Sequence, residues 1–366
     1  MSALPIKNAA EHIASLKDDR TVYIEGELVG DATEHPAFRN SIHTAAGLYD
    51  YQADPANAEA MTFASPTNGR RVNRAWQMPE SYEDLVQRRE ALVLWAEQHG
   101  GFMGRSPDHL ASAVTDQLMG RDLFEAHDSE RAKAYWDYYV HARGNDLFLT
   151  YVIINPQVDR SKTASELGNN DPMLKVVDED SEGITVRGAK MFGTSSIMAN
   201  EVFVAHLQPL RPDEVDYASC FAIPMATKGL KVLSWKSYER HAGAYYDNPL
   251  SSRYDENDAL MYFDDVKVPW ERVFVHRDSE MCRRQFHDTP GHIYQNYQAQ
   301  IRLTVKLKFL AGLARAVCET IGTVQLPAVA ESLGKMAAQA AAVENMMWGM
   351  EAKGSQWGKY FVPDRH

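Results

Sequence analysis

Cysteine is scarce in this chain: Cys220, Cys282 and Cys318 are the only three, they lie far apart, and none forms a CxxC pair. That excludes a disulfide framework or a cysteine-built metal site and points to a reducing compartment. Positive charge is also short. The chain carries 38 Lys and Arg against 50 Asp and Glu, a formal net charge of −12, which is the wrong sign for a nucleic acid or an anionic membrane surface. No run approaches the roughly 18 apolar residues of a membrane span. The first twenty positions mix Lys, Glu, His and Asp among apolar residues instead of forming a signal-peptide core, so the cytoplasm is the expected location. No GxGxxG follows a strand and no GxxxxGK[ST] occurs, so the chain lacks its own nicotinamide or nucleotide-phosphate signature. The histidines show neither HxxxH nor HExxH spacing, which leaves no protein-built metal site to expect.

What is present is a large hydrophobic inventory. With 366 residues, 45 % of them hydrophobic, the chain can bury a sizeable core in two or three domains. The period of the apolar residues changes twice. Up to residue 145 it is mostly helical: helices are expected at 8–17, 36–62, 81–99, 108–119 and 130–143, with a hairpin over 21–29 turning at Gly26. Ser81-Tyr-Glu-Asp84 has the form of a capping box, with Asp in place of the usual Glu or Gln. From 146 to 275 the pattern becomes strand-like, with runs at 147–154, 183–192, 200–207, 219–225, 230–235 and 259–268, as in a compact sheet or barrel. From 276 to 366 helices return, one from Tyr294 to Val324 and a second after Pro327. The second is apolar on more than one face, so it needs neighbours on both sides, as in a bundle or an oligomer interface. The expected class is α+β.

The chain is organised around residues 146–196. Leu147–Ile154 is a nearly unbroken apolar run, the mark of a strand buried on both faces, and it stops at Asn155-Pro156. Gln157, Arg160 and Ser161 follow with hydrogen-bonding groups. A second strand, Gly183–Gly188, leads to Gly193-Thr-Ser-Ser196. Two such strand ends form an edge on which a flat polar heterocycle could rest; the plain alternative is a pair of hydroxyl-rich turns.

The spelling of these stretches resembles a known family. Asn155-Pro-Gln-Val-Asp-Arg-Ser-Lys162 and Gly193-Thr-Ser-Ser196 are similar to the flavin-facing segments of the 4-hydroxyphenylacetate 3-hydroxylase family. Arg20-Thr-Val-Tyr-Ile-Glu-Gly-Glu27, His35-Pro-Ala-Phe-Arg39, Leu48-Tyr-Asp50 and Phe263–Val273 agree with it. The resemblance implies an acyl-CoA dehydrogenase-like fold: an amino-terminal helical domain (1–145), a middle β-barrel or sandwich facing flavin (146–275) and a carboxy-terminal helical bundle (276–366) that is incomplete relative to the family. It also implies an activity, hydroxylation of a phenolic or other electron-rich aromatic through a C4a-hydroperoxyflavin. FAD would arrive as FADH2 from a separate NAD(P)H:flavin reductase, with O2 as co-substrate. Asn155, Gln157, Arg160, Ser161, Thr194, Ser195 and Ser196 become the cofactor-binding candidates, and a homodimer or homotetramer is expected.

Three further positions carry the expected chemistry. Arg105, in Gly104-Arg-Ser-Pro-Asp-His109, corresponds by resemblance to a cation that holds the substrate's phenol oxygen, and His109 stands where Tyr is common. Tyr151 replaces a histidine seen in hydroxyphenylacetate-type members, which points away from 4-hydroxyphenylacetate and toward a halogenated or nitrated phenol. His292 falls where chlorophenol-type members place a catalytic base, and a histidine titrating near neutral pH suits phenol deprotonation. Structural readings stand beside these: Arg105 in a surface ion pair, His109 exposed, His292 as a helix cap. A 4-hydroxybutyryl-CoA dehydratase-like enzyme is disfavoured by the lack of a cysteine near Arg105 or soon after His292. A non-catalytic assembly subunit is the remaining alternative.

Overall fold

The computed structural model describes residues 5–159, 161–162, 166–167, 172–207, 209–244 and 246–365. The amino-terminal part contains α1 (Ala9–Ser15), β1 (Thr21–Ile24), β2 (Glu27–Val29), α2 (Arg39–Ala53), α3 (Ala58–Met61), β3 (Thr62–Ala64), β4 (Arg71–Asn73), α4 (Tyr82–Gln98), α5 (Pro107–Met119), α6 (Arg121–His127) and α7 (Ser129–Gly144). The helix expected over 36–62 is broken at Asp54. Its ψ of 126° leaves the helical region, because the following Pro55 disfavours α geometry in the residue before it. The Asp54 carboxylate then accepts from the Ala56 amide at 2.8 Å and turns the chain into α3. The Ser81 capping box forms as read, with Ser81 and Asp84 each satisfying the other's backbone amide.

The middle region contains β5 (Leu149–Val152), β6 (Lys175–Glu179), β7 (Gly183–Lys190), β8 (Glu201–Val204), β9 (Ser219–Pro224), β10 (Leu230–Ser234), a short α8 (Ser251–Tyr254), β11 (Ala259–Pro269) and β12 (Val273–His276). Two strands, β6 and β12, thus join the six expected. They build a six-stranded sheet in the order β2-β1-β10-β11-β7-β6 and a four-stranded sheet in the order β12-β9-β8-β5. The hairpin at 21–29 belongs to the larger sheet, where β1 runs parallel to β10 with Val22 opposite Val232.

The four-stranded sheet is covered on both faces, and its sequence shows why it looks so apolar. Along β8, Val202 and Val204 enter the core shared with the larger sheet and α2, while Phe203 enters the core under α5 and α7. Successive side chains of a strand point to opposite faces, so a doubly covered strand must be apolar at nearly every position. The same holds in β5, where Val152 faces one core and Leu149 the other. Asp146, ahead of β5, is a buried hub in the left-handed region (φ 47°). Its carboxylate accepts from Gln52 Nε2 at 2.7 Å and Trp76 Nε1 at 3.0 Å. Lys7 Nζ donates to its carbonyl at 2.9 Å, tying the first helices to the sheet.

The carboxy-terminal part contains α9 (Ser279–His287), α10 (Gly291–Thr320), α11 (Pro327–Ala352) and a hairpin of β13 (Ser355–Trp357) and β14 (Tyr360–Val362). The first half of α10 is docked on the body, with Tyr294, Tyr297, Gln298, Ile301 and Thr304 buried. Gly101, at φ 73°, lets the chain pass under it: a Cβ there would lie 2.7 Å from the Arg302 carbonyl oxygen and the Lys306 nitrogen. Beyond residue 305 the α10–α11 pair leaves Leu313, Val317, Ile321, Met346 and Trp348 exposed, while Met347 and Glu351 at the end of α11 are buried against the body.

Candidate functional site

The first turn of α5 positions the central group. Pro107 occupies the first helical turn, where its missing N–H costs nothing. Ser106 does not cap the helix with its side chain, as its position suggests; its hydroxyl donates to the Asp108 carboxylate instead. The preceding loop is held from two directions. Half-buried Glu256 accepts from the backbone N–H of Gly104 at 2.8 Å and from that of Arg105. The Ser195 hydroxyl donates to the Arg105 carbonyl at 3.1 Å. Arg105 therefore has a fixed backbone and a partly exposed side chain.

Arg105, His109 and Tyr151 meet. The guanidinium lies 5.3 Å from the centre of the Tyr151 ring, and the His109 imidazole stacks on that ring at 5.6 Å and 25°. The surface reading of His109 is wrong, since it is buried at 4 % exposure. Its Nδ1 faces Gln298 Oε1 at 3.1 Å, and Gln298 Nε2 donates to Asp108 at 2.8 Å. The carboxylate can only accept, so it sets the Gln298 amide, and the amide oxygen in turn requires the proton on His109 Nδ1. His109 Nε2 is then the acceptor facing Gln295 Nε2 at 3.3 Å.

Electrostatics follow from enclosure. Burial, with Arg105 adding to it, pushes the His109 imidazole down to about 3. Burial raises the Tyr151 phenol, partly offset by Arg105. It also raises the carboxyls of Asp108 and Glu256 against the hydrogen bonds each receives. Next to them, Arg302 Nε is buried with no partner among the described residues, an unmet donor suited to a carbonyl or anionic ligand. Asp108, Glu256, Gln295, Gln298 and Arg302 were not among the expected site residues. The one sequence signal for the last three is polar residues at i, i+3 and i+7 on the buried start of α10.

The two expected strand ends do lie side by side. Ile154 bridges Met191, and the Thr150 hydroxyl donates to the Thr194 carbonyl at 2.6 Å. Asn155 and Gln157 line an open cavity of about 480 Å³ together with Pro156, Asp159, Lys162 and Met173, a size suited to a small-molecule site. Ser161 is exposed and its hydroxyl donates to Asp159 at 2.6 Å. Arg160 lies outside the described residues. Thr194 donates to Asp258. Ser195 and Ser196 are fully buried, so they shape the loop and present no hydroxyl to an exposed ligand. Phe192 at φ 61° and Ser195 at φ 67° are both left-handed, strain that persists only where neighbours enforce it. Phe192 and Trp235, both exposed, meet edge to face at 5.5 Å. A hydrogen-bonding strand edge, an adjoining cavity and an unmet buried donor fit a flat, polar-edged cofactor such as flavin.

His292 is placed elsewhere. It sits in the first turn of α10, against Phe286 at 5.2 Å and His287 at 5.3 Å between ring centres, beside a cavity of about 370 Å³ that also meets Asn296, Met350 and Arg365. Its Nε2 is 3.3 Å from Asn296 Nδ2. Burial, then His287 and Arg365, lower its pKa. No contact among the described residues joins it to Arg105, His109 or Tyr151. No group of His, Cys, Asp and Glu among the described residues could hold a metal ion, and no helix among them is long and apolar enough to cross a membrane.

Comparison with known proteins agrees along the chain. Residues 8–275 match the family model described as 4-hydroxyphenylacetate 3-hydroxylase N terminal, and residues 282–366 match its C-terminal counterpart. The 4-hydroxyphenylacetate 3-monooxygenase oxygenase component of a Geobacillus strain is 35 % identical over 366 residues, spanning 99 % of this chain and 73 % of that protein. The 4-nitrophenol 2-monooxygenase oxygenase component of a Rhodococcus species is 36 % identical, spanning 93 % of this chain and 64 % of the relative. A crystal structure of a 4-hydroxyphenylacetate 3-monooxygenase oxygenase component complexed with FAD and 4-hydroxyphenylacetate superposes with a TM-score of 0.91 at 34 % identity, covering 98 % of this chain and 74 % of the other.

Proposed function

The chain belongs to the 4-hydroxyphenylacetate 3-hydroxylase family, and from that premise we propose that it is the oxygenase component of a two-component, reduced-FAD-dependent monooxygenase acting on a phenolic or other electron-rich aromatic ring. The observation that carries this reading is the meeting of Arg105, His109 and Tyr151 beside strand ends that offer a flavin-sized edge. FAD, delivered reduced by a separate NAD(P)H:flavin reductase, supplies the oxygen chemistry when bound. Asn155, Gln157, Ser161 and Thr194 would hold it, while Ser195 and Ser196 fix the loop.

Arg105 binds the substrate oxygen as a phenolate, with Tyr151 and neutral His109 forming the wall against which the ring rests. A cation beside the oxygen favours its ionised form, and an ionised phenol is electron-rich at its ring carbons. Halogenated and nitrated phenols ionise nearer neutral pH than a simple phenol, so they suit this site best. His109, driven to about 3, is too weak a base to take a phenol proton near neutral pH. The family resemblance, and no contact in this structure, supports His292 as the base; it is half-buried, and burial lowers its pKa. The exposed apolar side chains of α10 and α11 are the surface through which a homodimer or homotetramer forms.

The test is a single-turnover reaction of the full chain with FADH2, O2 and a halophenol. Hydroxylated product above a protein-free control supports the assignment. Flavin that binds yet yields only hydrogen peroxide with every phenol tried refutes it and leaves the assembly reading.

A further inference from the structure

The buried amine of Lys190 is absorbed by nothing described so far. It ends β7 at 2 % exposure, and its Nζ donates to Asn155 Oδ1 at 2.8 Å, with the Ile153 carbonyl at 3.5 Å and His206 Nδ1 at 3.4 Å. No carboxylate pairs with it among the described residues. The other titratable group that acts on it is Cys282 of α9, whose thiol is itself pushed up to about 12 by burial. A lone ammonium in such a place is costly, and burial drags it down to about 7. Among the described residues, its hydrogen-bonded side-chain partner that lines a ligand-sized cavity is Asn155. An ammonium can only donate, so it holds the Asn155 carboxamide with its oxygen turned toward Lys190.

Resting on the flavin reading above, we propose that Lys190 is a positioning and charge-selecting residue. It fixes the orientation of the Asn155 carboxamide and places positive charge behind the cavity wall, so that the site takes reduced, anionic flavin in preference to oxidised flavin, whose ring is neutral. The chemistry gives a reason for an unpaired buried cation here. The anion of the bound ring is its missing partner, and the two stabilise each other in a medium that screens weakly. Oxidised flavin has the same diphosphate but no ring charge, so discrimination falls on the ring alone. A two-component enzyme needs this order: it must capture flavin freshly reduced elsewhere and release it once oxidised.

The test compares equilibrium affinities of the full chain for FADH2, measured anaerobically, and for FAD, in wild type, Lys190→Gln and Lys190→Met. Lys190→Gln keeps a hydrogen-bond donor and removes the charge; Lys190→Met removes both. The wild type is expected to bind the reduced form at least about tenfold more tightly, and Lys190→Gln to lose most of that ratio while its affinity for oxidised FAD changes less than about twofold. Lys190→Met is expected to weaken both forms further. Equal loss for both forms in Lys190→Gln would mean a merely structural lysine and would overturn the proposal. So would a wild type with no preference, a result that stands even if the variants fail to fold. A chain that binds neither form would instead contradict the flavin reading itself, so the two failures are distinguishable.

Discussion

The sharpest consequence of the buried site is that His109 makes the protein acid-sensitive. The imidazole binds its proton at about 3 in the fold against an ordinary 6.5, so below about pH 6.5 the unfolded chain takes up a proton that the folded chain refuses. Its contribution to stability is complete above the unfolded value and is lost as pH falls toward the folded one. Between about pH 7 and about pH 5 that loss comes to about 2 kcal/mol. His109→Gln removes the titration while leaving a polar group able to face Gln298. Urea unfolding with linear extrapolation at both pH values should therefore find the variant less stable than wild type at pH 7, through lost stacking on Tyr151. The gap should narrow by about 2 kcal/mol at pH 5. Buried His12 and His99, both lowered by burial, erode stability in the same range in both proteins and so cancel from the difference. A gap that does not change with pH would show that His109 titrates alike in both states, and the buried, Nδ1-protonated imidazole would be refuted.

Arg105→Ala should weaken phenolate binding by about tenfold to a hundredfold, as expected for losing a hydrogen bond to a charged group; unchanged affinity by equilibrium titration would remove its anion-holding role. His292→Ala should slow hydroxylation and raise hydrogen peroxide release with flavin affinity preserved, and unaltered coupling would exclude it as the base. Gly101→Ala places a Cβ 2.7 Å from the α10 backbone at φ 73° and should cost at least about 2 kcal/mol. By contrast Gly312→Ala, in the exposed part of α10 with nothing within 4 Å, should be neutral or stabilising by up to about 1 kcal/mol; thermal melts of the two variants check the pair.

What the sequence shows of this fold follows from how local each determinant is. The strands β5 and β8 are legible because burial on both faces writes an unbroken apolar run. The start of α4 is legible because its capping box lies within four residues. By contrast β6 has one buried side chain in five, Val176, and no pattern separates it from a charged loop. β12 follows β11 after only Trp270–Arg272, so the two read as one strand exit. In the site, Arg105, His109 and Tyr151 were findable from the spelling of their motifs, and the structure brings them into contact. Glu256, Gln295 and Gln298 were not, since they reach the same point from 151 to 189 positions away. A glutamine aimed at a buried histidine looks, in sequence, like any glutamine on a helix. His292 had the reverse fate: its motif singles it out, yet its contacts lie with Phe286, His287 and Asn296.

These distant contributions explain why two buried or half-buried carboxylates are tolerated where desolvation opposes them. Asp108 receives the Ser106 hydroxyl and the Gln298 amide, and Glu256 receives two backbone amides, so each anion keeps hydrogen bonds in place of water. The return is rigidity around Arg105, whose N–H is held by Glu256 and whose carbonyl is held by the loop after β7. Only its side-chain torsions remain free, and Tyr151 restricts those. Little conformational entropy is left to lose when an anion binds, which is the condition for one partly exposed arginine to hold a small phenolate. The Ser195 contact also ties Arg105 to the loop after β7, so under the proposed function one short stretch of chain would set the positions of both substrate and flavin.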